Sequence, residues 1–208
     1  IHLDKFRLNK FTEKHIKILG EKKLDRIIKL NKPVVFISGH FGNFELMAME
    51  LEKKGINLAT IYRPLNNIFL DPFMVFLRKK YICKNQIKKG ITGSREIINI
   101  VKQNHSIALM VDQRVGESER SPFFSIPAHT TTIPAQLALK FDMEIVPIYL
   151  ERKSDDTFIM EVCDPIPKDR TENQENDKKI ITIKINEIIE KMVLRNPGQW
   201  IWTHSGWK

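Results

Sequence analysis

The sequence predicts a single-domain α/β protein with a central, mostly parallel or mixed β-sheet flanked by helices. Short β-branched apolar runs, such as Val34-Val35-Phe36-Ile37, recur along the 208 residues, and stretches with helical spacing lie between them. Hydrophobic residues make up 42% of the chain, enough for one sizeable core. No internal repeat, low-complexity segment or shift in composition marks a second domain.

Residues 1–29 are basic and helix-like, with Phe6, Phe11, Ile16, Leu19 and Leu24 at loosely helical spacing and Gly20 dividing them into two pieces. Residues 34–37 read as a buried strand. Gly39 and Gly42 then punctuate a tight turn, and residues 45–54 read as a helix closed by Gly55. The turn presents His40 and, five residues on, Glu45 at the carboxyl end of a strand, the edge where α/β proteins usually bind ligands. There His40 can accept a proton near neutral pH, and Glu45 can fix its tautomer and stabilise the imidazolium. The structural alternative is a histidine capping the turn and a glutamate favoured by the helix dipole.

Residues 56–62 read as a second strand, stopped by Pro64, which leaves Arg63 at the same edge as His40. Its guanidinium suits a phosphate or a carboxylate. Asn66 and Asn67 read as a turn into a helix over 68–81, apolar nearly all round and ending in Arg78-Lys79-Lys80. Such a helix is normally buried; the other reading is a wall for an acyl chain or an interfacial surface. Residues 84–90 read as a basic loop and 92–103 as an amphipathic helix. A third strand over 106–111 ends in Asp112-Gln113-Arg114.

Residues 116–127 read as a long functional loop in which Phe123 and Phe124 either shield an acyl chain or plug the loop onto the core. A small helix over 135–141, a hairpin of 144–152 with 157–163, a polar linker over 164–177 and a final amphipathic helix over 177–194 complete the chain.

The net charge is +9 with a pI near 9.5, which points to acidic partners: nucleic acid, an anionic membrane or an acidic protein. No RNA-binding signature or zinc-finger spacing accompanies that charge, so nucleic acid is disfavoured. Cys83 and Cys163 are far apart without a C-x-x-C pattern and read as ordinary core residues in a reducing compartment. No apolar run reaches bilayer-spanning length, and no signal peptide is visible. The chain begins at Ile1, so a segment upstream is expected to be missing.

The stretch Gly39-His40-Phe41-Gly42-Asn43-Phe44-Glu45 resembles the H-x-x-x-x-[DE] motif of glycerolipid-type acyltransferases, and more closely the late acyltransferases of lipid A biosynthesis. The similarity continues through Tyr62-Arg63-Pro64-Leu65-Asn66-Asn67, Arg78, Asp112-Gln113, Phe123-Phe124, residues 128–132, and Pro197-Gly198-Gln199-Trp200-Ile201-Trp202-Thr203-His204. It implies transfer of a fatty acyl group from acyl carrier protein to a hydroxyl of a lipid A precursor, without cofactor or metal. His40, Glu45, Arg78 and Asp112 would be catalytic, with His40 as general base and Arg78 beside the oxyanion or an acceptor phosphate. Backbone N–H groups at Gly42 and Asn43 would meet the oxyanion, and Arg63, Asn66, Gln113, Phe123 and Phe124 would contact substrate. The resemblance also implies a site at the cytoplasmic face of the bacterial inner membrane, anchored through the missing segment. Two departures stand out: Ser125 replaces the glycine that usually follows the Phe-Phe pair, and Ser205-Gly206 replaces two arginines near the C-terminus. Rival expectations are another glycolipid or glycerolipid acyltransferase using acyl-CoA or acyl carrier protein, a thioesterase in which His40 activates water, and a basic lipid- or nucleic-acid-binding module.

Overall fold

The computed structural model describes residues 3–8, 10, 15–113, 119–168, 170–202 and 207. In chain order its elements are α1 (Leu3–Arg7), β1 (Ile16–Leu19), α2 (Glu21–Leu30), β2 (Val34–Ser38), α3 (Glu45–Lys53), β3 (Leu58–Tyr62), α4 (Leu70–Tyr81), β4 (Asn85–Lys88) and α5 (Ile91–Lys102). They continue with β5 (Ser106–Met110), β6 (Glu119–Phe123), β7 (Ile126–Thr130), α6 (Ile133–Phe141), β8 (Glu144–Arg152), β9 (Phe158–Val162) and α7 (Gln174–Arg195). Seven strands form one sheet in the order β1-β9-β8-β2-β5-β3-β4, and β6 pairs with β7 as a separate hairpin. All neighbours in the large sheet run parallel except β8 and β9. The expected single-domain α/β architecture is the one observed.

Alternation along β2 explains why the sheet is covered on both faces. Val35 and Ile37 point into one core with Ile97 of α5, Leu137 of α6 and Ile185 of α7. Val34 and Phe36 point into the other, with Leu24 of α2 and Leu46 and Leu51 of α3. A strand buried on both faces reads as a continuous apolar run, as residues 34–37 do.

Four segments differ from the sequence reading. Within residues 1–29, Ile16 and Ile18 are buried while Lys17 and Leu19 face out, so this piece is an edge strand beside β9. Phe11 lies outside the described residues. The basic loop contains β4, whose one buried residue, Ile87, suffices at a sheet edge where polar residues are tolerated. The described part of residues 116–127 belongs to the β6–β7 hairpin. Its two-residue turn puts Phe124 and Ser125 at φ 50° and 62°, the geometry that matches strand twist. Ser125 thus holds the left-handed conformation a glycine adopts freely, a strain of about 1–2 kcal/mol, while Glu190 accepts from the Phe124 N–H at 2.7 Å.

The fourth difference is α4. None of its residues is buried, and Ile68 and Phe69 just before it are 74% and 83% exposed. Leu70, Phe73 and Phe76 are also exposed. The core reading of this helix is therefore corrected: its apolar side chains lie on the surface.

Candidate active site

Strands β2, β3 and β5 run parallel, so the residues following them share one rim of the sheet. Ser38 pairs with Met110 across β2 and β5, and two residues beyond each stand His40 and Asp112. The two residues meet there. Nδ1 of His40 lies 2.6 Å from Asp112 Oδ1, and the His40 backbone N–H donates to Asp112 Oδ2 at 2.7 Å. Gly39 permits the approach, because a Cβ there would stand 2.7 Å from the Phe41 ring and 3.1 Å from Asp112 Oδ2.

The Trp200 indole N–H donates to the same Oδ2 at 2.7 Å. The Asp112 side chain is only 2% exposed. Burial pushes its carboxyl upward, but the His40 ring, the His40 charge and N–H, and the Trp200 indole outweigh it and hold Asp112 below the usual carboxylate range. An ionised Asp112 accepts from Nδ1, which leaves Nε2 as the basic nitrogen. Gln113, the next residue, places its side-chain nitrogen 3.0 Å from Nε2.

The segment carrying Trp200 is laced onto the turn. The Gly42 N–H donates to the Gln199 carbonyl at 3.0 Å, and the Ile201 N–H donates to the His40 carbonyl at 3.1 Å. The Gln199 side chain donates to the Arg152 carbonyl at 2.6 Å and accepts from its N–H at 2.8 Å, joining the end of β8.

Glu45 has a different partner from the one expected. Arg78 donates to its Oε1 through two nitrogens at 2.9 and 2.7 Å, and both side chains are about one-sixth exposed, at 16% and 17%. The carboxylate that holds the imidazole's Nδ1 is therefore Asp112, not Glu45. In a helix's first turn Glu45 points toward α4, which delivers the arginine.

His40, Glu45 and Arg78 line a cavity of about 580 Å³. Met47, Ala48, Ile61 and Leu109 supply apolar wall, and Arg63 and Asn66 stand at its exposed rim. Gln113 lines it as well. Lys89, at the end of β4, is a further lining cation, missed because its segment read as a loop. A second concavity of about 1010 Å³ lies beyond Phe44, Glu45 and Arg78, which border both.

Several expected contacts are corrected. Gly42 and Asn43 line the second concavity and not the first. The Gly42 N–H already serves the Gln199 carbonyl, so it does not point to an oxyanion beside His40. Phe123 and Phe124 are absent from the cavity wall; Phe123 stacks on Trp207 at 5.7 Å and meets Trp200 edge-on at 5.8 Å. The plug reading of that pair is the observed one. Trp200 and Gln199 were within the matching stretch, yet nothing in their spacing announced an indole on Asp112. Arg114, Thr203, His204, Ser205 and Gly206 lie outside the described residues. Burial pushes the Cys83 thiol to about 12 and the Cys163 thiol to about 11, so neither supplies a thiolate at neutral pH.

Among the described residues no helix is long and apolar enough to cross a membrane. The family model described as bacterial lipid A biosynthesis acyltransferase matches residues 1–208. A lipid A biosynthesis palmitoleoyltransferase of Escherichia coli K12 is 26% identical over 204 residues, 95% of this chain and 63% of that protein. A lipid A biosynthesis acyltransferase of Haemophilus influenzae is 25% identical over 182 residues, 84% of this chain and 55% of that protein. The chain thus spans roughly three-fifths of the length of the curated relatives it matches. A match to that model over every residue means that the chain belongs to the bacterial lipid A biosynthesis acyltransferase family.

Proposed function

We propose that this chain transfers a fatty acyl group from a thioester to a hydroxyl of a lipid A precursor. One observation carries the reading: a histidine held at Nδ1 by a buried carboxylate lines a cavity with both apolar and cationic walls. His40 Nε2 takes the hydroxyl proton as the oxygen attacks the thioester carbonyl, a step typically contributing about 10²–10⁴-fold. Asp112 keeps the imidazole in that tautomer and stabilises the imidazolium. The C–S bond then breaks and the thiolate leaves with the proton from His40. Arg78, steered by Glu45, lines the same cavity and can meet developing negative charge or an acceptor phosphate, with Arg63 at the rim. The cavity volume lies in the usual range for ligand pockets.

The donor in this reading is acyl carrier protein. Its acidic surface suits a chain of net charge +9, and steering of that kind raises encounter rates about 10–10³-fold. The acceptor comes from the cytoplasmic face of the inner membrane. The exposed ridge of Phe69, Phe73 and Phe76 with Lys79 and Lys80 behind it suits an anionic bilayer, where each basic group contributes about 1 kcal/mol.

Mass spectrometry of purified protein given a pool of acyl thioesters and candidate lipid acceptors tests the reaction. His40→Ala is expected to keep the fold and lose transfer by at least about 10²-fold; wild-type transfer by that variant overturns the proposal. Free fatty acid released at the same rate with and without acceptor would favour a thioesterase instead. For the membrane, the triple change of Phe69, Phe73 and Phe76 to serine should weaken sedimentation with phosphatidylglycerol-containing vesicles roughly 10²-fold. Unchanged sedimentation refutes the ridge as the docking face.

A further inference from the structure

The acyl-transfer reading needs His40 Nε2 to act on a lipid hydroxyl, and water competes for the same lone pair whenever no acceptor is bound. Asp112 and Gln113 are consecutive, and they hold the two nitrogens of one ring: Asp112 accepts from Nδ1 at 2.6 Å, and Gln113 lies 3.0 Å from Nε2. With Asp112 ionised, Nδ1 carries the proton and Nε2 can only accept. The Gln113 amide therefore donates, and its NH₂ group occupies the lone pair that catalysis requires. We propose that Gln113 caps the base in the empty site. The cap withholds the base from water until an acceptor hydroxyl, anchored by the rest of its lipid, takes the amide's place.

The competing reaction shows what the cap suppresses. Water oxygen would bond to the thioester carbonyl carbon as His40 Nε2 takes its proton. The C–S bond would break, and the thiolate would leave with that proton, giving a fatty acid and a free thiol. Water has no further contacts to offset a lost amide hydrogen bond. A lipid acceptor has the cavity walls and the cations at its rim. A single neutral hydrogen bond therefore slows hydrolysis in the acceptor-free enzyme by about fivefold.

Gln113→Met preserves length and removes the donor. Its hydrolysis of a decanoyl pantetheine thioester in the absence of acceptor should run about fivefold faster than that of wild type. Carbethoxylation of His40 by diethyl pyrocarbonate, which needs the free lone pair, should also quicken, as read by peptide mass spectrometry. Gln113→Leu must move both measurements the same way if the methionine variant does not fold. An unchanged rate of acceptor-free hydrolysis or an unchanged labelling rate overturns the proposal. Should the wild-type protein acylate no hydroxyl at all, the acyl-transfer reading fails on its own, and equal labelling rates then dispose of the cap.

Discussion

Two carboxylates border His40, and the protein treats them in opposite ways. Asp112 is 2% exposed, accepts from the imidazole, a backbone N–H and an indole, and stands on the core side of the ring. Glu45 is 16% exposed, accepts from a guanidinium, and stands where two concavities meet. A buried anion with three fixed donors cannot move and serves to set a tautomer. A partly buried anion paired with a cation serves to aim that cation. Motif spacing alone would assign the first task to Glu45; strand register gives it to Asp112.

The largest expected effect is on the buried member. Asp112→Asn retains size but offers an amide to a ring nitrogen that needs an acceptor, which favours the wrong tautomer. Transfer should fall about 10³–10⁴-fold with little change in KM, as loss of the orienting carboxylate does in histidine-based catalysis generally. Glu45→Gln leaves an acceptor for Arg78 and removes only the charge. The expected loss is about 10–10²-fold, the worth of one hydrogen bond to a charged group. A double-mutant cycle of Glu45→Gln with Arg78→Lys should show strong coupling, whereas Asp112→Asn should combine with Arg78→Lys nearly additively. Equal losses for the two carboxylates, or coupling of Asp112 to Arg78, would break the distinction.

The same contrast explains which features are legible in the sequence. His40 was legible because glycines on both sides of it mark a turn after an apolar strand, and Arg63 and Asp112 because each follows a strand. Their common rim follows from parallel pairing. Which carboxylate meets the imidazole was not legible, since that depends on Ser38 facing Met110 across strands 72 residues apart. The helix Leu70–Tyr81 was legible as a helix but not as a surface, because a sequence records apolar residues and not whether anything covers them. Short edge strands such as Asn85–Lys88 carry too few apolar residues to show alternation, and one buried isoleucine is all that β4 needs. Trp200 acts through a single indole N–H, a contact with no periodic signature.

Acid sensitivity gives the smallest effect and the sharpest separation. The folded-state pKa of Asp112 is depressed below its ordinary value of 3.8, so in the folded protein its ionised form is favoured. The stability this contributes is fully present above that ordinary value and is lost as pH falls through the folded one, because the unfolded chain takes up its proton first. Urea midpoints measured from pH 5 downward should therefore drop on the acid side of 3.8 in wild type. That part of the slope should vanish in Asp112→Asn, shrink in Trp200→Phe, which removes one donor to the carboxylate, and persist in Glu45→Gln. A slope that disappears with Glu45 and survives the loss of Asp112 would mean that the protein relies on the arginine-paired carboxylate and not the one on the imidazole, reversing the assignment of their roles.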